Sequence, residues 1–148
     1  MGLEIDKQCC RVRQQRLLEA MQQLGVDLAI LTRRESVQWL TGAWVGPLFW
    51  PSAGIDSSGH VTIVLPSRKT EMPVAADTVL SYEEKWLSTM RDASEQQASS
   101  VAALLDGLGP LPSRAGCEFT AAGKSLHSKA SADWQDLDAT LFRLRRRK

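Results

Sequence analysis

Residues Ser36 to Pro51 read SVQWLTGAWVGPLFWP. The stretch holds Trp39, Trp44, Phe49 and Trp50, four of the nine aromatic residues in the chain, and is broken by Gly42, Gly46, Pro47 and Pro51. Its first part, VQWLTG, reads as a short strand that ends at Gly42, with Trp39 packed in or against a core. The part after Gly42 has the composition of a loop yet carries three large rings. Those rings either cap the edge of a sheet or form a contact surface, since Trp and Phe dominate interface energies when buried.

The flanking segments alternate between two periods. From Asp6 to Leu24, Val12, Leu17, Met21 and Leu24 recur at helical spacing, with Asp6 as N-cap and Gly25 just past the end. Val26 to Thr32, VDLAILT, is short and apolar, as a buried strand requires. SAGIDSSGHVTIVLP predicts a hairpin: a strand over Ser52 to Asp56, a Ser-Ser-Gly turn, and a strand from His60 to Leu65 stopped by Pro66. DTVLSYE is a further strand. Ala98, Val101, Leu104, Leu105 and Leu108 form a helix face that ends at Gly109-Pro110. RAGCEF gives a last short strand, TAAGKSLHSK a helix capped by Thr120, and Asp138 opens a helix that runs to the end. Helices interleaved with strands around one hairpin predict an α/β fold with a mixed sheet, in a single domain spanning 1–148.

Bulk properties narrow the function. A chain of 148 residues with 43% hydrophobic and 24% charged residues can bury a core without staples. A net charge of +1 exerts no general pull toward nucleic acid or anionic membranes. Apolar runs such as Val61 to Leu65 are too short to cross a bilayer. Cys9, Cys10 and Cys117 do not make a disulfide framework, so a reducing, cytoplasmic location is expected.

No catalytic set emerges. His60 and His127 lack partners at metal-ligand spacing, and no metal ligand is assigned. The vicinal cysteines point apart on a helix. AAGKSL resembles the end of a phosphate loop, but the position of its first glycine is Glu118, whose carboxylate repels phosphate. SSGH places a serine near a histidine inside a hairpin turn, where such residues are expected. The basic ending RLRRRK suits a helix C-terminus, with Leu137, Leu141 and Leu144 beneath it, better than a nucleic-acid arm.

Taken in order, the segments resemble the N-terminal domain of the creatinase/prolidase family, which includes Xaa-Pro aminopeptidases. GVDLAIL resembles the family's Gly-Ile-Asp-Ala-Leu-Leu-Ile, and VQWLTG stands where the family has Ile-x-Tyr-Leu-Thr-Gly. AGCEF is similar to Ile-Gly-Val-Glu, and DLDATLFRLRRRK to the Leu-x-x-Leu-Arg-x-Ile-Lys that leads into a catalytic domain. Ser36 and Trp39 depart from the usual Asn and Tyr.

The resemblance implies a three-layer α/β domain with a ribonuclease H-like motif, its mixed sheet of about five or six strands flanked by helices. It implies two divalent ions only in a C-terminal pita-bread catalytic domain, absent from this chain, where they activate water. No cofactor and no catalytic residue is then expected here, and the chain alone is expected to be inactive. The implied role is dimerisation and restriction of substrate access in a peptidase-like or creatinase-like hydrolase. Its partners would be a second copy, the catalytic domain and a peptide or small amidino or amide substrate, with no nucleic acid and no membrane. Trp44, Phe49 and Trp50 are the expected substrate- or partner-contacting residues. The alternative is a free-standing interaction or small-ligand module without enzyme activity.

Overall fold

A computed structural model of the chain describes residues 6–46, 49–83, 93–121, 126 and 130–146. Helix α1 (Lys7–Leu24) opens on Asp6, whose carboxylate accepts from the Cys9 N–H at 3.0 Å, and closes on Gly25 at φ 69. That left-handed turn lets the Gly25 N–H reach the Gln22 carbonyl and sends the chain into β1 (Leu28–Leu31). Helix α2 (Arg34–Thr41) follows, then the hairpin β2 (Ser52–Asp56) and β3 (Val61–Pro66). The Asp56 side chain holds the hairpin turn by accepting from the Ser58 and His60 N–H groups. A single 3-10 turn (Ser67–Lys69) leads to β4 (Thr78–Tyr82), after which come α3 (Ala93–Leu108), β5 (Arg114–Cys117), β6 (Asp133–Asp136) and α4 (Asp138–Arg146).

The six strands form one mixed sheet in the order β4-β3-β2-β1-β5-β6. The β1–β2 and β2–β3 pairs are antiparallel; β1–β5, β3–β4 and β5–β6 are parallel. Central strands alternate between two apolar layers, as the pleat requires. Ala29, Leu31, Ile55, Ile63 and Leu65 face α1, α2 and α4, where Leu17, Met21, Val37, Leu40, Leu141 and Leu144 meet them. Leu28, Ile30, Val64 and Cys117 face the other way, onto Val101 and Leu104 of α3 and onto Leu126. The sheet between two helical layers is therefore the α/β fold expected from the sequence.

Two elements differ from the sequence reading. Val37 to Thr41 is helical, not a strand. Glu35 and Gln38, three residues apart, face solvent while Ser36, Val37, Trp39, Leu40 and Thr41 are buried, a pattern no strand can produce. Gly42 at φ 82 caps this helix by donating to the Gln38 carbonyl. Buried Gln14 of α1 fastens the same helix end, donating to the carbonyls of Leu40 and Ala75 at 3.0 and 2.8 Å. The second difference is β6, DWQD, which has no apolar alternation. It forms because β5 offers a free ladder: Asp133 donates to Ser113 and Leu137 to Cys117. Of the segment expected to be a helix capped by Thr120, residues 119–121 and 126 are helical, the turn starting at Phe119; the Gly-Lys-Ser lies outside the described residues.

Strand β5 tolerates no side chain at Gly116. A Cβ there would stand 2.7 Å from Cδ1 and Cγ of fully buried Leu137. Gly116→Ala is expected to destabilise the chain by about 1–3 kcal/mol in urea denaturation, with no change in the denaturant slope.

Candidate functional site

The loop from Gly42 to Pro51 alternates between core and solvent. Ala43 and Val45 are buried in the core and Trp44 between them is 49% exposed. Thr41 steers this turn, its hydroxyl donating to the Val37 carbonyl and accepting from the Ala43 N–H. Phe49 is half-buried against the core, with the Lys69 ammonium 5.8 Å from its ring centroid. Its carbonyl accepts from Arg34 Nε at 2.9 Å.

Trp50 is tied on three sides. Its indole N–H donates to the Thr32 carbonyl at 2.9 Å, and its backbone N–H donates to the Tyr82 hydroxyl at 2.9 Å. The Arg34 guanidinium lies 3.8 Å from the ring centroid, a stacked cation–π contact. Tyr82 in turn donates to buried Gln96 of α3. The three aromatic residues singled out in the sequence thus have different surroundings: Phe49 and Trp50 hold the loop to β1, α2 and β4, and Trp44 alone of the three is exposed.

The loop's other anchor is Glu118, at the end of β5, a residue the sequence reading used to dismiss a phosphate loop and within the AGCEF resemblance, without giving it a role of its own. Its side chain is 1% exposed and sits at the entry to α2. Oε1 accepts from the N–H groups of Thr32 and Arg33, both at 3.1 Å, and Oε2 accepts from the Ser36 hydroxyl at 2.6 Å. Arg33 Nε lies 3.6 Å from Oε2. Arg33 also donates to the Thr120 hydroxyl at 2.7 Å and stands 3.7 Å from Asp138, the first residue of α4. A carboxylate here suits the positive end of the helix dipole. Burial nevertheless pushes the Glu118 carboxyl above its ordinary range, with the hydrogen bonds from Ser36, Arg33 and Thr32 pulling against it. Asp138 shifts the other way: burial would raise it, but the Thr120 N–H and hydroxyl and the Arg33 charge bring it below the usual carboxylate range.

Two adjoining cavities of about 520 and 540 Å³ lie over α2. The first is lined by Cys10, Arg13, Gln38 and Trp39, the second by Arg33, Thr120, Asp138 and Phe142. Glu35 and Arg145 line both. Burial raises the Cys10 thiol and pushes Cys117 up to about 12, so neither is an activated thiolate. His60 Nε2 shares a hydrogen bond with the Thr78 hydroxyl at 2.8 Å, and His127 lies outside the described residues. Among the described residues no three His, Cys, Asp or Glu side chains could hold a metal ion, and no helix is long and apolar enough to cross a membrane.

The family model for the creatinase/prolidase N-terminal domain matches residues 13–146. No curated protein matches in sequence. Among solved structures, a proline dipeptidase from Streptococcus pneumoniae has a TM-score of 0.62 at 15% identity, over 91% of this chain and 98% of that one. The creatinase/prolidase N-terminal domain of an X-Pro dipeptidase from Streptococcus pyogenes has a TM-score of 0.64 at 15% identity, over 89% of this chain and 98% of the other. The prolidase from Pyrococcus horikoshii reaches 0.61 at 17% identity over 88% of this chain, which spans only 33% of that protein. At these identities the likeness establishes the fold.

Two predictions arise from this geometry. Trp44→Ala is expected to change stability by no more than about 0.5 kcal/mol, and Trp50→Ala to cost about 3 kcal/mol, in parallel denaturant titrations. Glu118→Ala strands three donors and is expected to cost about 3 kcal/mol or more, Glu118→Gln much less. The folded chain holds the Glu118 proton to higher pH than the unfolded chain, which releases it near 4.5. The stability this group contributes is therefore full below 4.5 and is lost as pH rises through its folded value. Glu118→Gln, which does not titrate, should gain on the native chain between pH 4 and 7; a gap moving in the opposite direction contradicts the assignment.

Proposed function

The chain belongs to the creatinase/prolidase N-terminal domain family, and from that premise we propose that it is the non-catalytic N-terminal domain of a metal-dependent Xaa-Pro peptidase or creatinase-like hydrolase. Its role in this reading is to form a homodimer and to restrict access to the active site, and 1–148 is one such domain. The two divalent ions and the water they activate belong to a C-terminal catalytic domain outside this chain. Peptides, or small amidino or amide compounds, are the substrates of the parent enzyme. In support, this chain spans 33% of the length of the prolidases from Pyrococcus furiosus and Pyrococcus horikoshii, which leaves room for such a domain in proteins of that size.

The observation that carries the contact role is Trp44. A 49% exposed indole between two core residues is displayed on a fixed backbone, which lowers the entropic cost of using it as an anchor. Phe49 and Trp50 serve the same surface by fixing the loop behind it, through Arg34, Thr32 and Tyr82.

Sedimentation velocity over a hundredfold range of protein concentration tests this. A concentration-dependent shift from monomer to dimer is expected, weakened by about tenfold in dissociation constant in Trp44→Ala, the range of an interface hot spot. A strict monomer throughout, or a dimer indifferent to Trp44, overturns the contact role.

A further inference from the structure

The C-terminal turn of α2 is held from outside the helix, and we propose that Gln14, set in place by Arg11, is the residue that positions Trp44 for contact. A helix leaves its last four carbonyls without intrahelical donors, and buried ones need partners from elsewhere. In α2 these are the carbonyls of Gln38, Trp39, Leu40 and Thr41. The Gly42 N–H takes that of Gln38 at 2.8 Å, and the other three go to distant segments. Arg13 of α1 donates to Trp39 at 3.2 Å, Gln14 to Leu40 at 3.0 Å, and the Ala75 N–H to Thr41 at 2.9 Å. The same Gln14 amide donates to the Ala75 carbonyl at 2.8 Å. One side chain thus joins α1, the end of α2 and the segment that enters β4.

Burial makes Gln14 the sensitive point. Gln14, Leu40, Thr41 and Ala75 are all buried, so water does not replace the amide, and without it two carbonyls lose their donor. The relief open to the chain is a shift of the end of α2 toward solvent, which carries Gly42 to Val45 with it. Packing of Ala43 and Val45 keeps this stretch against the core, but apolar contact is non-directional. Hydrogen bonds are directional, and they fix where along the stretch Trp44 emerges.

Arg11 sets the orientation of Gln14 from an anchor on the sheet. Its Nη1 donates to Gln14 Oε1 at 2.9 Å, and its Nη2 lies 3.3 Å from Asp77 Oδ1. Asp77 is in turn fastened to β3: its carboxylate accepts from the Val61 N–H and its own N–H donates to the Val61 carbonyl, both at 2.8 Å. The Arg11–Asp77 pair is exposed at both partners and adds little to stability. Cutting it therefore disturbs Gln14 while leaving the fold in place. The effect on dimerisation rests on the contact role proposed for Trp44; the positioning of Trp44 does not.

Nitrogen-15 relaxation of the whole chain by NMR tests this directly. Backbone order parameters of Ala43, Trp44 and Val45 are expected near about 0.85 in the native chain and below about 0.6 in Gln14→Met, with a smaller fall in Arg11→Met. Arg11→Lys keeps a donor and is expected to restore most of the native order. Gly116→Ala weakens the fold at β5 and is expected to leave Trp44 unmoved, which separates positioning from a general loss of stability. In sedimentation the dimer dissociation constant of Gln14→Met and Arg11→Met is expected to rise about threefold to tenfold. Native order at Trp44 in both variants, or an equal loss of order in Gly116→Ala, overturns the proposal; should Gln14→Met not fold, Arg11→Met alone decides. A chain that stays monomeric while its Trp44 still answers to Arg11 supports the positioning and overturns only the contact role.

Discussion

The carboxylate of Glu118 is the constraint on which the arrangement of this domain turns. It ends the parallel strand β5 and reaches across to the start of α2, where it satisfies two backbone donors and a serine hydroxyl. Without such an acceptor the turn from β1 into α2 would carry buried N–H groups with no partner, a cost few small domains sustain. Through Arg33 the same carboxylate is linked to Thr120 and to Asp138 at the start of α4. One ionisable group thus joins three chain segments more than eighty residues apart in part, and its raised pKa is the electrostatic consequence of placing it there.

The aromatic loop is built against this framework. Arg34, the first residue of α2, stacks on Trp50 and donates to the Phe49 carbonyl, so the helix start fixed by Glu118 also fixes the far end of the loop. Thr32 is shared in the same way: its N–H goes to Glu118 and its carbonyl receives the Trp50 indole. The Tyr82 hydroxyl completes the path to α3. A loop rich in glycine and proline is therefore held by side-chain hydrogen bonds and stacking rather than by a ladder of its own. What it leaves outside is Trp44, which is why the proposed contact role falls to that ring.

On the opposite side of α2, polar groups meet without closing a network. Arg13, Glu35, Gln38 and Arg145 surround the two cavities, and the fold supplies Arg145 Nε with no acceptor among the described residues. The contrast with Glu118 is informative, because two charged side chains near one helix have opposite status. The first is satisfied by backbone and hydroxyl donors from its own chain; the second keeps its Nε buried with no acceptor among the described residues. Family membership speaks to the fold.

Much of the fold was legible in the residues. The Asp6 cap, the Gly25 stop, the alternating hydrophobicity of the hairpin and the helical stripe before Gly109-Pro110 are local signals, and local backbone preference and burial pattern suffice to read them. The order of segments likewise carried the family. The strand assigned to Val37–Gly42 and the missing β6 show where that stops. VQWLTG is too short for its period to separate helix from strand, and its helical state rests on Glu118, over eighty residues away. DWQD has no apolar signal, and its pairing depends on β5 presenting an open edge. The same limit held for the candidate site: composition assembled Trp44, Phe49 and Trp50 as a cluster, but which rings are half-buried and which is exposed depends on Thr32, Arg34 and Tyr82. The sequence by itself determined the elements whose signals lie within a few residues, together with the family. Only the tertiary structure decided the state of α2, the pairing of β6 and the exposure of Trp44, because each depends on acceptors and strand edges brought in from distant parts of the chain.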